Sequence, residues 1–236
     1  MNQKAIIAVV IILLGIAGYG AFAYMTRPVA APSQPINGIT TPTSSTTEPT
    51  VNGSTSTDPN AYTIRQENSH VNFVLDEILR GSPYTVVGTS TEVGGQITVD
   101  RTKLQDATVG TIRINARTIK TDDPGRNGMI GRFILKSEDP ENEFITFETK
   151  EIVGLPTSAD IGTPLHFTMT GDLKIAGTTR SETFDVNAMF SDDHTVTGYA
   201  SSVVKRSDFN LNIPDIPFVA NVTDDVTLSI DFTATK

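Results

Sequence analysis

From residue 61 to the C-terminus, apolar side chains recur at every second position. Val71, Phe73 and Leu75 alternate with polar or small neighbours, as do Ile112, Ile114 and Ala116, and Ile145 and Phe147. Phe167, Met169, Gly171, Leu173 and Ile175 share one face, and Phe184, Val186, Ala188 and Phe190 share another. Val226, Leu228, Ile230 and Phe232 close the chain against Thr227, Ser229 and Asp231. A period of two puts one face in the dry and one in water, which is the pattern of antiparallel sheet. Gly94-Gly95, Asp122-Asp123-Pro124-Gly125, Gly154-Leu155-Pro156, Ala176-Gly177 and Asp192-Asp193 punctuate it as turns. The best helical stretch, 128–136, is short.

The pattern predicts about seven to nine strands, whose apolar faces must be covered and whose edges must be managed. A sandwich and a closed barrel both do this, and spacing does not choose between them. A barrel of about eight strands is either just filled by side chains or holds one small ligand. The stretch GDLKIAGTTRSETFDV, residues 171–186, reads as two strands joined by a short Gly-Thr-Thr-Arg connection. Its apolar face looks either at a packed core or at the wall of a cavity. The large inward-facing residues are Phe73, Ile112, Ile114, Phe147, Phe167, Met169, Phe184, Val186, Phe209 and Phe218. With no tryptophan in the chain, phenylalanine supplies most of the aromatic volume.

The first quarter is of another kind. From Ala5 to about Tyr24 there are roughly twenty uncharged residues, enough to span a bilayer as a helix. Lys4 precedes them, which predicts a cytoplasmic N-terminus and an exported remainder, although Arg27 on the far side weakens that signal. The rival is a cleavable signal peptide, with Ala21-Phe22-Ala23 as the cleavage site. The expected location is the cell membrane, single-pass with the C-terminal domain outside the cytoplasm, or secretion after cleavage at Ala23. In 28–60, 21 of 33 residues are Pro, Ser, Thr or Gly, with no aromatic, Lys or Arg. Such a stretch does not bury enough apolar surface to offset its ordering entropy. It reads as a flexible tether with a reach of roughly 30 Å. The organisation is therefore 1–27 anchor or signal, 28–60 linker, and 61–236 one β domain.

Asp and Glu number 27 against 18 Lys and Arg, with no basic run, which argues against nucleic acid as a partner. The absence of cysteine removes thiol catalysis, Cys-ligated zinc and disulfides. His70, His166 and His194 form no ligand-spaced pair, so no metal is expected. The acidic pairs at 122–123, 192–193 and 224–225 sit at turns, where Asp caps backbone N–H groups. Glu138, Asp139, Glu141 and Glu143 lie in a polar stretch with Pro140 that reads as a solvated loop. No nucleophile elbow, phosphate loop or dinucleotide fingerprint occurs, and no catalytic residues are assigned. Arg206 and Asp208 flank the end of an apolar strand beside Phe209; they meet a ligand head group, or pair and cap backbone around a turn. Arg126 carries the same two readings.

Four segments resemble one family. Asn68-Ser69-His70-Val71-Asn72-Phe73 is similar to the S-x-V-x-F first strand of the YceI-like, polyisoprenoid-binding proteins. The stretch 114–122, Ile-Asn-Ala-Arg-Thr-Ile-Lys-Thr-Asp, resembles their I-x-A-x-S-I-x-T strand and turn. The stretch 170–180 resembles the G-D-L-T-I-x-G-x-T-[RK] hairpin, and Arg206-Ser207-Asp208-Phe209-Asn210 the R-x-D-F-G element. The resemblance implies a lipocalin-like, eight-stranded antiparallel barrel with an apolar cavity for an isoprenoid or similar amphiphile, in an exported bacterial protein. It implies no catalysis and no cofactor beyond a bound isoprenoid lipid. Two departures stand out. The family's R-D-x-H-L segment reads Arg126-Asn127-Gly128-Met129-Ile130, without the Asp and His, and the last position of R-x-D-F-G is Asn210, a residue that tolerates positive φ.

These readings combine into an exported, membrane-tethered barrel whose partners are an isoprenoid or amphiphilic lipid and, through the N-terminal helix, the membrane. A packed barrel serving as an interaction module of the cell envelope is the first rival. An enzyme acting on a lipid or an envelope polymer is the second.

Overall fold

The computed structural model describes residues 29–33, 36 and 58–236. The expected membrane-spanning helix, the cleavage site and most of the linker lie outside these residues. Among the described residues no helix is long and apolar enough to cross a membrane.

The described domain is one antiparallel sheet of 13 strands, curled into a half-barrel, with one short helix. The strands are β1 Ala61–Ile64, β2 His70–Leu79, β3 Ser82–Ser90, β4 Val93–Gly94, β5 Gln96–Thr98, β6 Thr108–Val109 and β7 Ile112–Asn115. They continue as β8 Phe144–Val153, β9 Leu165–Ile175, β10 Thr178–Asp192, β11 Thr195–Lys205, β12 Val219–Ala220 and β13 Asp225–Thr235. The expectation of about eight strands missed the short pieces β1, β4, β5, β6 and β12, which are too brief to show a period. The path β7-β8-β9-β10-β11-β13 is continuous, and β13 also pairs with β2, which carries β3. A single bridge, Thr89 to Lys120, ties β3 to the segment after β7.

The GDLKIAGTTRSETFDV hairpin forms β9 and β10, but its turn is tighter than the expected four residues. Thr178 pairs directly with Ile175, so only Ala176 and Gly177 turn the chain, with φ of 46° and 80°. Positive φ at both positions matches the right-handed twist of the flanking strands. Asn210 also takes the left-handed conformation, φ 55° and ψ 30°, after the 3-10 turn Arg206–Phe209.

The helix, α1, spans Pro124–Met129 and runs into a π turn, Ile130–Ile134. It begins somewhat before the expected stretch. The Asp123 side chain accepts from the Arg126 backbone N–H, and Pro124 supplies a preset φ at the first turn. The other turn aspartates act as expected: Asp192 accepts from the His194 N–H at 2.7 Å and Asp224 from the Ser207 N–H at 3.0 Å.

Two apolar clusters form inside the curl. One gathers Tyr62, Val93, Leu104, Leu165, Phe190 and Val196 around the β10–β11 turn. The other gathers Leu135, Phe147, Leu173, Ile175, Phe209 and Val226 toward the α1 end.

Candidate functional site

The inward face of the sheet does not fill its own interior. A cavity of about 540 Å³ runs between the two clusters, within the range of small-molecule sites. Its wall combines the alternate residues Val71, Phe73 and Leu75 of β2, Phe167, Met169 and Leu173 of β9, and Phe184, Val186 and Ala188 of β10. The aromatic rings lie along the wall. Phe73 sits directly across from Gly88, where a Cβ would lie 2.0 Å from the ring, and Phe232 covers Gly198 in the same way at 2.6 Å. Any larger residue at these two glycines would overlap a ring unless the ring moved. The Phe147 and Phe184 rings meet edge to face at 5.1 Å.

Of the ten residues expected to face a ligand, Phe73, Ile112, Ile114, Phe147, Phe167, Met169, Phe184, Val186 and Phe218 line the cavity. Phe218 does so only at the rim and is 75% exposed. Phe209 does not line it. The 3-10 turn aims its side chain into the packing against Val204 and Val226, where it is 1% exposed, so its role is to seal the sheet.

The charged lining gathers at one end. Glu77 and Arg80 come from the β2 end, Asp123 and Arg126 from the start of α1, and Arg206 from the β11 end. Glu77 follows Val71, Phe73 and Leu75 on the inward face of β2, and is buried. The Arg126 guanidinium donates to Glu77 at 3.0 Å and to Asp122 at 2.7 Å, with Tyr84 stacked at 5.2 Å. This pinning holds α1 over the end of the cavity. Tyr84 also hydrogen-bonds Asp122, which holds that carboxyl below its usual range. Arg206 donates from Nε to the Thr223 carbonyl at 3.1 Å and from a terminal nitrogen to the Leu211 carbonyl at 3.2 Å. The Asp224 carboxylate stands 3.9 Å from its Nε. Asp208, which the sequence places beside it, is exposed and lies outside the cavity wall. On the neighbouring inward face, burial and the charge of Asp208 raise the Glu182 carboxyl above its ordinary value.

A second polar cluster escaped sequence reasoning. Glu143, expected in a solvated loop, is 2% exposed. It pairs with Arg117 at 3.0 Å, accepts from the Asn115 amide at 3.1 Å, and accepts from the Ser33 N–H at 2.7 Å and Oγ at 2.6 Å. Burial pushes its carboxyl up, but the two Ser33 hydrogen bonds and the Arg117 charge outweigh that and hold it below the usual range. Arg117 also donates to the carbonyls of Ala31, Ser137 and Glu138. Ala31 and Ser33 are thereby laid against the domain, and the Gln66 amide donates to the Ile36 carbonyl at 3.0 Å. The alternation of Ile112 and Ile114 gives no hint that Asn115 and Arg117 form the floor of a buried site.

A half-barrel around an apolar cavity, with the motif strands in this order, invites comparison with known families. The sequence profile of the YceI-like domain matches residues 62–234. This chain belongs to the YceI-like domain family. No curated protein matches it. Among solved structures, this YceI-like domain is similar to Burkholderia cenocepacia BcnA, at 20% identity and a TM-score of 0.58, covering 73% of this chain and 99% of that one. It is also similar to a polyisoprenoid-binding domain from Saccharophagus degradans implicated in plant cell wall breakdown, at 12% identity and a TM-score of 0.56, covering 74% and 97%. At these identities the likeness is one of fold. The YceI-like family suggests lipid binding, and the apolar cavity is where this chain has room for it.

Proposed function

We propose that this YceI-like domain holds the chain of an isoprenoid, or of a similar amphiphile, in its cavity, as a carrier or sequestering protein. The observation that carries this is the cavity itself: about 540 Å³ of space whose wall is almost wholly aliphatic and aromatic. Each CH₂ moved into such a wall from water contributes about 0.8 kcal/mol. In this reading the curled sheet closes as a lipocalin-like eight-stranded barrel, with the Thr89–Lys120 bridge at its seam. The anchor at 5–24 places the domain at a membrane and outside the cytoplasm, where a water-insoluble ligand is collected.

The mouth favours a neutral head group. Arg126 is neutralised by Glu77 and Asp122, and Arg206 spends its donors on backbone carbonyls. A phosphate entering here meets the carboxylates of Glu77 and Asp123. Of the three arginines at this end, only the exposed Arg80 at the rim has no carboxylate or carbonyl against its side chain among the described residues. A polyprenol or quinone meets no such cost.

The test is binding of radiolabelled polyprenol and polyprenyl phosphate by the full-length chain, alongside Met169→Trp, which plugs the centre of the cavity. Saturable 1:1 binding of polyprenol, at least tenfold weaker binding of the phosphate, and loss of both in the plugged variant at an unchanged thermal transition are expected. Undiminished binding by a folded plugged variant would place the ligand elsewhere and overturn the reading.

A further inference from the structure

We infer that the rim beside the cavity mouth is a bilayer-docking surface, so that the domain presents its open end to lipid. The inference rests on the lipid-holding reading above and adds the surface through which the ligand enters.

The rim is built from the β2–β3 turn and the segment 213–218. Phe218 is the most exposed large apolar residue described, at 75%, and Ile216 and Pro217 stand next to it on the cavity lining. Its backbone is in the left-handed region, φ 71°, and Arg80 opposite it is at φ 53°. A bulky residue in that region is an outlier that the surrounding structure must hold in place. Here the Arg80 N–H donates to the Phe218 carbonyl at 2.7 Å, and β12 pairs Val219 with Leu79 immediately behind. The backbone at this corner is thus held, and the Phe218 side chain stands largely exposed at the edge of the cavity. Arg80 on the β2–β3 turn and Asp215 in the segment 213–218 are both exposed, one charge of each sign, so the apolar side chains supply the attraction.

The path of the chain names the occupant. Residue 29 lies at this same end: a Cβ on Gly131 would fall 2.7 Å from a Val29 methyl. Gly131 lies two residues past α1, in the π turn, and Arg126 and Glu77 pin α1 over the mouth. Ser33 and Ala31 then fasten the segment to Glu143 and Arg117. Only residues 25–28 separate Val29 from the uncharged stretch that ends at Tyr24. Fully extended, that connection reaches roughly 17 Å. In the sequence, an uncharged stretch of bilayer-spanning length thus precedes Val29 by only four residues, and Val29 itself lies at the mouth end of the domain. A lipid bilayer is the one partner that accepts that stretch, the mouth and the exposed Phe218 together.

The chain has no cysteine, so single spin labels report position without background. Labels at Phe218→Cys and Ser82→Cys mark the rim. Val153→Cys marks the far end of β8, on a residue that is 54% exposed. The full-length chain is reconstituted into vesicles of phosphatidylethanolamine and phosphatidylglycerol. Collisions with dissolved oxygen should dominate at 218, collisions with a water-soluble nickel chelate should dominate at 153, and 82 should lie between. Ser82 is exposed at the β2–β3 turn and does not line the cavity, so protection there reports the membrane and not a lipid bound inside. Equal access of the nickel chelate to all three labels overturns the docking inference. If isoprenoid is still extracted from that sample, the lipid-holding reading stands without it; if none is, both fall.

Discussion

Arg117 and Arg126 are the same device in two settings. Each pairs with a buried glutamate at 3.0 Å, Glu143 for the first and Glu77 for the second. Around the Arg117–Glu143 pair the partners are protein on both sides: Asn115 and Ser33 donate to Glu143, and Arg117 donates to the carbonyls of Ala31, Ser137 and Glu138. Around Arg126 one side is the cavity. The first pair joins the N-terminal segment to the domain, while the second stands at the charged end of the apolar cavity. An ion pair's chemistry therefore does not tell what it is for; the company it keeps does.

The sharpest way to break this comparison is to remove each glutamate. Glu143→Ala leaves Arg117 charged and enclosed, and should cost about 3–5 kcal/mol in denaturant unfolding. Glu77→Ala should cost much less, because Asp122 still holds Arg126 and the cavity admits water. Equal losses would mean that the two environments do not differ.

The two apolar clusters allow a similar contrast. Phe190, at 2% exposure in the packed end, should cost about 3–5 kcal/mol when cut to alanine. Phe184→Ala at the cavity wall enlarges a space that already exists, and should cost no more than about half as much while lowering the amount of bound lipid. Thermal melts and lipid content measured on the same samples separate the two effects.

A smaller effect comes from Ser33, which helps hold the Glu143 carboxyl below its usual range. A carboxyl depressed in the folded state contributes stability above its unfolded value, near pH 4.3, and loses it as pH falls through the folded value. Ser33→Ala should cost about 1–3 kcal/mol at pH 7, and its stability should fall less than the wild type's below about pH 4.5. Parallel pH profiles would show that Ser33 does not act on Glu143.

Much of the fold was legible because a strand writes itself locally. Phe184, Val186, Ala188 and Phe190 face inward as their spacing says, and Ala176-Gly177 turns the chain where the turn signal lies. The cavity wall followed from the same period, with Phe209 as the exception: a 3-10 turn re-aims it, and a period of two does not register that. Contacts remote in sequence were not legible. Ser33 and Glu143 are 110 residues apart, and Arg126 and Glu77 are 49 apart. A polar stretch such as 138–143 reads as solvent-facing until a distant partner is found to cover it. Periodicity also leaves a filled interior and an open one indistinguishable, because the same residues line both.

That last distinction is the central claim. The direct measurement is mass spectrometry of an organic extract of the full-length chain purified from its native membrane, with Met169→Trp purified in parallel. One isoprenoid per wild-type chain, absent from the plugged variant, is the predicted result. No isoprenoid in either extract, after incubation with native lipids as well, would contradict the account and leave the curled sheet as a folded scaffold with an empty interior.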